Sequence, residues 1–459
     1  MVGLHSVGAL AQAQEAGIDA FLDAASFHRR RAAEAQAEIA AGWRVGDAAM
    51  LVDLLDLVER TRDLNPRTFM PTERFAQFLE QQTGQTFGED LARWREWIWS
   101  LPYSPHPSYG EFKGRLYAML DPRYVVFFRS ETEPRIRLDE IEWGGVSING
   151  IPPLDHPKHV PAAEATYLDD GDVVFGFFLD GEARAYPRRI LAWHELALDR
   201  IGDRELAVVY CPLCGTVIPF DARVGGRVLT FGTSGLLYRS NKLMFDHETA
   251  SLWSSLTGEP VVGPLVQLDL KLRPLPVVTT TWGAWRARHP DTRVLSIDTG
   301  YQRDYSEGAA YRDYFANDDL MFDVSQHDAR LPNKAEVLVV RSTTPPVGAA
   351  TAIDAAAPFA IATAFLDEHR VFHTTVDGTD IVVVTSSSGA NRVYAAGPHR
   401  FVAADGDDAV RDMQGRRWTV EEEALRASFD PELTLPRLAA HRVFWFGWYA
   451  QHPETELID

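Results

Sequence analysis

Apolar residues recur at three- and four-residue steps along the first quarter of the chain and at two-residue steps after it. The alanine-rich stretch QAQEAGIDAFLDAASFHRRRAAEAQAEIAAG reads as helix and stops at Gly42. DAAMLVDLLDLVERTRDL should bury one face, PTERFAQFLEQQTGQ opens on a helix-start signal at Pro71-Thr72, and DLARWREWIWSLP closes at Pro102. The spacing predicts a helical module over residues 1–122, in which His28, Trp94, Trp97 and Trp99 read as packing residues.

From residue 123 strand patterns take over, giving an α+β fold class: a helical N-terminal module followed by a β-rich mixed domain over 123–459. YVVFF and DVVFGFFLDGEARAYP read as strands, with Asp180-Gly181, Gly225-Gly226 and Asp377-Gly378 as hairpin turns. RRILAWHELALD reads as a short helix carrying His194 near its middle, and WGAWRARH as another, ended by Pro290. RSTTPPVGAATAIDAAAP reads as a looser segment, so a subdivision is expected near 340–360. The aromatics of RVFWFGWYA plug a core, with His441 at their edge as a lesser ligand or acid/base candidate.

Composition narrows the function classes. With 46% apolar and 24% charged residues the chain reads as an ordinary soluble globular protein. Its formal charge of −20 argues against nucleic acid and against an anionic membrane surface. No apolar run is long enough for a membrane span, and the N-terminus lacks the cationic and apolar regions of a signal peptide. The expected compartment is the cytoplasm, with export open where a leader is missing from the sequence. No Gly-x-Gly-x-x-Gly stands between a strand and a helix, so no nucleotide cofactor is expected.

The chemistry concentrates in Cys211-Pro212-Leu213-Cys214-Gly215, which holds the two cysteines of the chain and lies between the strand-like runs LAVVY and TVIPF. In a thiol–disulfide enzyme the first cysteine of such a pair sits at a helix N-terminus. In a metal knuckle the chain turns so that two thiolates converge on one ion. Thr216 to Phe220 are poor helix formers and Pro219 breaks a helix, which favours the knuckle. Two buried thiols or a disulfide in a hairpin is the bland alternative. A fuller coordination shell would draw on His194, Met244 or His247, with Asp246 holding a ligating histidine or capping its own turn, and Glu195 a minor candidate for general base. Two thiolates with a histidine suit copper first and zinc next.

RAYPRRILAWHELALDRIG, AVVYCPLCGTVIPFD, LTFGTSGLLYRSNKLMFDHETASLWSSLTGEPVVGPL, TTWGAWRARHPDTRVLS and FWFGWYAQHPETEL resemble the signature blocks of the bacterial and archaeal domain-of-unknown-function family numbered 3179. The likeness runs from about Val160 to Asp459 and implies a shared domain without an established reaction. It implies that His194, Glu195, Cys211, Cys214 and Asp246 fit the family pattern, whereas the family blocks carry arginine at the position of His247. The expectation is a centre for one transition metal, acting on an unknown small molecule or protein. A thiol–disulfide oxidoreductase and a structural zinc or interaction domain are the alternatives.

Overall fold

In the computed structural model, which describes residues 15–61, 69–340, 358–376 and 378–459, the chain divides into two units. Met1–Glu131 with Ile136–Glu140 form one, and Thr132–Arg135 with Ile141–Asp459 form the other. The first unit is helical, with α1 (Ile18–Asp23), α2 (Arg29–Ala41), α3 (Ala48–Thr61), α4 (Thr72–Thr83), α5 (Leu91–Ser100) and α6 (Tyr109–Tyr117). α3 is its axis, because Leu51, Leu54, Leu55 and Val58 repeat on one face and are buried. Asp90 caps α5 by accepting the Arg93 amide at 3.1 Å. In the interior the Lys113 ammonium lies 2.9 and 3.1 Å from the two Asp53 carboxylate oxygens. Trp94 is buried as expected, whereas His28 is exposed.

The run YVVFF, expected as a strand, is a turn of 3₁₀ helix, Pro122–Phe128. Asp121 accepts the Arg123 amide at 3.0 Å and Pro122 fills the first turn. This start signal overrides the β-branched content, and Tyr124, Phe127 and Phe128 are buried in helical rather than alternating spacing.

The second unit is strand-rich. β1 (Val173–Leu179) and β2 (Glu182–Pro187) form the Asp180-Gly181 hairpin, whose turn residues take φ of 51° and 83°. α7 (Arg188–His194) leads into an antiparallel meander of β3 (Leu196–Ile201), β4 (Arg204–Cys211) and β5 (Thr216–Asp221). A second meander follows, β6 (Phe231–Tyr238), β7 (Asn241–Asp246) and β8 (Leu252–Ser254). Trp282–Arg288 is the expected helix, capped by the Thr281 hydroxyl. β9 (Glu336–Val340) pairs antiparallel with β10 (Ala440–Phe444), which runs directly into the helical turn Trp445–Tyr449.

One buried cluster joins β4, β5, β7, β8, β9 and β10 through Cys211, Ile218, Met244, Trp253, Val337 and Phe444. The cysteine hairpin therefore lies inside the main core. Residues 341–357, where a subdivision is expected, and Asp377 lie outside the described residues. Among the described residues no helix is long and apolar enough to cross a membrane.

Candidate functional site

β4 and β5 are apolar runs that suit a buried antiparallel pair, and Cys211 stands opposite Thr216 in their ladder. Pro212, Leu213, Cys214 and Gly215 are thus a hairpin loop, closed by the Gly215 amide donating to the Pro212 carbonyl at 3.2 Å. No helix begins at either cysteine. Gly215 adopts φ 60°, and a Cβ there would come within 2.7 Å of the Phe444 ring. The Phe444 amide donates to the Cys214 carbonyl at 2.8 Å. A Cβ on Gly447 would approach the Cys214 sulfur to 3.0 Å. The C-terminal aromatic segment thus seals the hairpin, and both cysteines are free thiols, 1% and 0% exposed.

A second hairpin presses on the first. Arg239 and Ser240, between β6 and β7, both take positive φ, 48° and 61°. The Cys214 sulfur lies 3.5 Å from the Ser240 carbonyl and accepts from Asn241 Nδ2 at 3.5 Å. The two thiols also share a hydrogen bond. Burial opposes the Cys211 thiolate, but the Cys214 thiol and the backbone amides of Lys242 and Cys214 stabilise it, and the net direction is down. Cys214, hydrogen-bonded to Cys211 and buried, is pushed well up.

Beside the sulfurs Glu195, the general-base candidate of the sequence, meets two polar side chains that the sequence did not single out, Lys242 and Tyr311. Glu195 caps α7 in the left-handed region, φ 57°, where the chain reverses into β3. Its carbonyl accepts the Tyr210 amide at 2.8 Å and Lys242 Nζ at 2.6 Å. Its carboxylate accepts the Tyr311 hydroxyl at 3.0 Å and faces Lys242 Nζ at 3.6 Å. Burial raises the Glu195 carboxyl and lowers the Lys242 amine. Glu195, Lys242 and Tyr311 open onto a cavity of about 60 Å³, whose other walls include Leu213 of the cysteine loop, Thr233, Ser234 and Gly235. GTSG is thus both a strand irregularity, between Thr233 and Leu236, and a cavity wall.

The remaining sequence candidates fall in different places. His194 is the last residue of α7, not its middle, because Glu195 ends the helix. Its Nδ1 lies 2.8 Å from the Pro152 carbonyl, which only accepts, so Nδ1 carries the proton. Its Nε2 then accepts the Tyr305 hydroxyl at 2.6 Å, and Tyr305 is within 2.6 Å of Thr299 Oγ1. Burial lowers the pKa of this ring, in keeping with the neutral form. Met244 is buried in the same cluster as both cysteines. His247 is exposed and lies against the Phe245 ring.

Among the described residues the partners of the Asp246 carboxylate are Thr249 and Trp253, not a histidine. The carboxylate accepts the Thr249 amide at 2.6 Å, the Thr249 hydroxyl at 2.9 Å and the Trp253 indole at 2.9 Å, so it ties the β7–β8 turn to the core. Asp246→Ala is expected to cost about 2–3 kcal/mol, because the Thr249 amide and hydroxyl and the Trp253 indole all lose the buried carboxylate that accepts from them. Urea denaturation measures this, and a change below about 0.5 kcal/mol would assign Asp246 another role.

Lys242 and Tyr311 carried faint signals. Lys242 is one of five lysines among 45 basic residues and directly precedes the apolar run Leu243-Met244-Phe245 in its strand. Tyr311 belongs to the tyrosine-rich segment DTGYQRDYSEGAAYRDYF, which reads first as packing across a domain face and second as pocket lining. The fold sends three of its tyrosines to the site: Tyr305 to His194, Tyr311 to Glu195 and Tyr314 to the Leu213 carbonyl, at 2.7 Å.

Among the described residues no group of three or more His, Cys, Asp or Glu is arranged to hold a metal ion. The chain matches no curated protein and no solved structure. The family profile described as a protein of unknown function, DUF3179, matches residues 148–455, a span that holds both hairpins, most of the cavity wall and the segment that seals them. By that match over most of its length, the chain belongs to the DUF3179 family.

Proposed function

We propose that the Cys211–Cys214 hairpin binds a single soft transition-metal ion, Cu(I) ahead of zinc, and that the ion serves redox chemistry on a small-molecule or protein substrate. The observation that carries this reading is the convergence of two free, buried sulfurs in one strand-to-strand turn, already close enough to share a hydrogen bond. Soft thiolates select Cu(I), which is content with few ligands, whereas structural zinc asks for four. The donors of this reading are the two sulfurs, and Met244 belongs to the same large buried cluster. His194 would join only by giving up the Tyr305 hydroxyl. Loading the site would expel the Cys214 proton, so affinity should rise with pH. A reducing, cytoplasmic setting would keep both thiols available.

Anaerobic titration with Cu(I) and with Zn(II) against a competing chelator tests this. The expected result is one equivalent of Cu(I) and, in Cys211→Ser and Cys214→Ser, a loss of affinity beyond the roughly 10–100-fold that outer contacts are worth. Binding equal to that of the serine variants would sink the proposal.

Two free thiols in one hairpin turn support a second reading, thiol–disulfide exchange. The Cys211 thiolate would attack a substrate disulfide, releasing one thiolate and leaving a mixed disulfide. Cys214, after losing its proton, would attack the Cys211 sulfur, releasing the second thiolate and closing a cystine. Alkylation of Cys211 ahead of Cys214 at neutral pH, and a mixed disulfide that persists in Cys214→Ser, distinguish this from metal binding.

A further inference from the structure

The cavity beside Glu195 encloses about 60 Å³. A water needs about 10–15 Å³ by the same measure, so there is room for a molecule of roughly four to six heavy atoms. Part of the wall is apolar, with Val146, Leu237 and Leu213 of the cysteine loop. The rest is polar: Glu195, Thr233, Ser234, Lys242 and Tyr311. Met321 also lines the cavity and is 53% exposed, which places it at the mouth.

Three of the polar side chains have committed their protons. The Thr233 hydroxyl donates to the Ile151 carbonyl at 2.6 Å, the Ser234 hydroxyl to the Leu243 carbonyl at 2.5 Å, and the Tyr311 hydroxyl to Glu195 Oε1 at 3.0 Å. Lys242 and Glu195 keep capacity in reserve. Of the donors on Lys242 Nζ, one is used at short range, to the Glu195 carbonyl at 2.6 Å. Glu195 Oε2 stands 3.6 Å from Nζ, longer than a hydrogen bond. The two side chains are 5% and 10% accessible. The pair therefore offers the cavity a donor and an acceptor side by side, and its net charge is zero whichever partner holds the proton. Such buried capacity costs free energy until something in the cavity satisfies it.

We propose that this cavity binds a short-chain aliphatic primary carboxamide, with its C=O accepting from Lys242 Nζ, its N–H donating to Glu195 Oε2 and its alkyl group against Val146 and Leu237. The inference goes beyond the dithiol reading and does not depend on what the cysteines hold. A carboxamide carries an acceptor and a donor on one carbon, the complement of what the pair offers. It fits either proton arrangement, because with the proton on the carboxyl the C=O accepts from that O–H and the N–H donates to the amine nitrogen. A carboxylate or an alkylammonium of the same size would add an unpaired buried charge to a neutral pair. A ketone would supply the acceptor and leave Glu195 Oε2 unsatisfied. A small pocket that joins apolar walls to a few placed polar groups is the usual form of a small-molecule site.

The test is saturation-transfer NMR titration of the full chain at neutral pH with propionamide, and with propionate, isobutylamine and butanone, which have the same number of heavy atoms. Propionamide is expected to bind in the millimolar range, and butanone about tenfold more weakly for want of the second hydrogen bond. The two charged probes are expected to bind more weakly still. Met321→Trp, which fills the mouth from an exposed position, and Lys242→Met, which removes the donor, are each expected to abolish propionamide binding. Should either variant fail to fold, the probe series on the unaltered protein decides. Cu(I) titration of the same sample reads the dithiol separately, so failure of one proposal is distinguishable from failure of the other. No binding of propionamide, binding no tighter than that of propionate or butanone, or binding that survives in a folded Met321→Trp overturns the proposal.

Discussion

Gly215→Ala is expected to destabilise the protein by about 2–5 kcal/mol. Roughly 1–2 kcal/mol comes from forcing a residue with a Cβ into the left-handed region, at φ 60°. About 1–3 kcal/mol more comes from driving that Cβ to 2.7 Å from the Phe444 ring, where the core is already filled. The two parts separate in a double variant, because Phe444→Leu relieves the collision and leaves the backbone strain. Urea denaturation should therefore find Gly215→Ala with Phe444→Leu less destabilised than the sum of the singles. Strict additivity would mean that the ring does not hold the cysteine loop in place. On the proposed metal reading the same substitution should also weaken Cu(I) binding, since Phe444 packs on the turn that carries Cys214.

Glu422→Gln is expected to cost about 3–5 kcal/mol at neutral pH, the penalty for leaving buried charge without its partner. Glu422 accepts from Arg392 at 2.6 Å, Arg288 at 3.1 Å and Arg437 at 3.2 Å, and His289 lies 3.3 Å away. Glu422, Arg392 and Arg437 are each no more than 5% exposed at the side chain. Burial by itself would raise the Glu422 carboxyl. The charges of Arg392 and Arg437 and the hydrogen bonds from His289 and Arg392 outweigh it and hold the group well below its ordinary 4.5. A carboxyl depressed in the folded state contributes its full stability above the unfolded pKa and loses it as pH falls through the folded one. The gap between the parent protein and Glu422→Gln should thus stay level from pH 7 to about pH 5 and close below it. Urea midpoints measured down that range check the sign, and a gap that widens on acidification would refute it.

The positions of these residues show how far local signals reach. The Asp180-Gly181 hairpin, the α3 helix and the strands flanking the cysteines were legible, because apolar periodicity and turn residues act within a few positions of one another. YVVFF misled because a five-residue apolar run has no period of its own, and the Asp121-Pro122 start signal before it decided the outcome. The sequence pattern puts His194 mid-helix because Glu195, a good helix former, gives no local hint that it adopts φ 57°. Asp246 stood evenly between holding a histidine and capping a turn, and its bonds to Thr249 and Trp253 favour the turn.

The sequence alone determined the division into helical and strand-rich regions, the hairpin around Cys211 and Cys214, and membership in DUF3179. Each rests on neighbours in the chain or on the order of whole blocks. Only the tertiary structure decided that Lys242 and Tyr311 meet at Glu195, that Phe444 and Gly447 close over Cys214, and that Tyr305 lies on His194. Those partners are 47 to 116 positions apart for the Glu195 group and more than 200 for the seal. Contacts at such separations follow from sheet pairing and core packing, which no local pattern of residue types encodes.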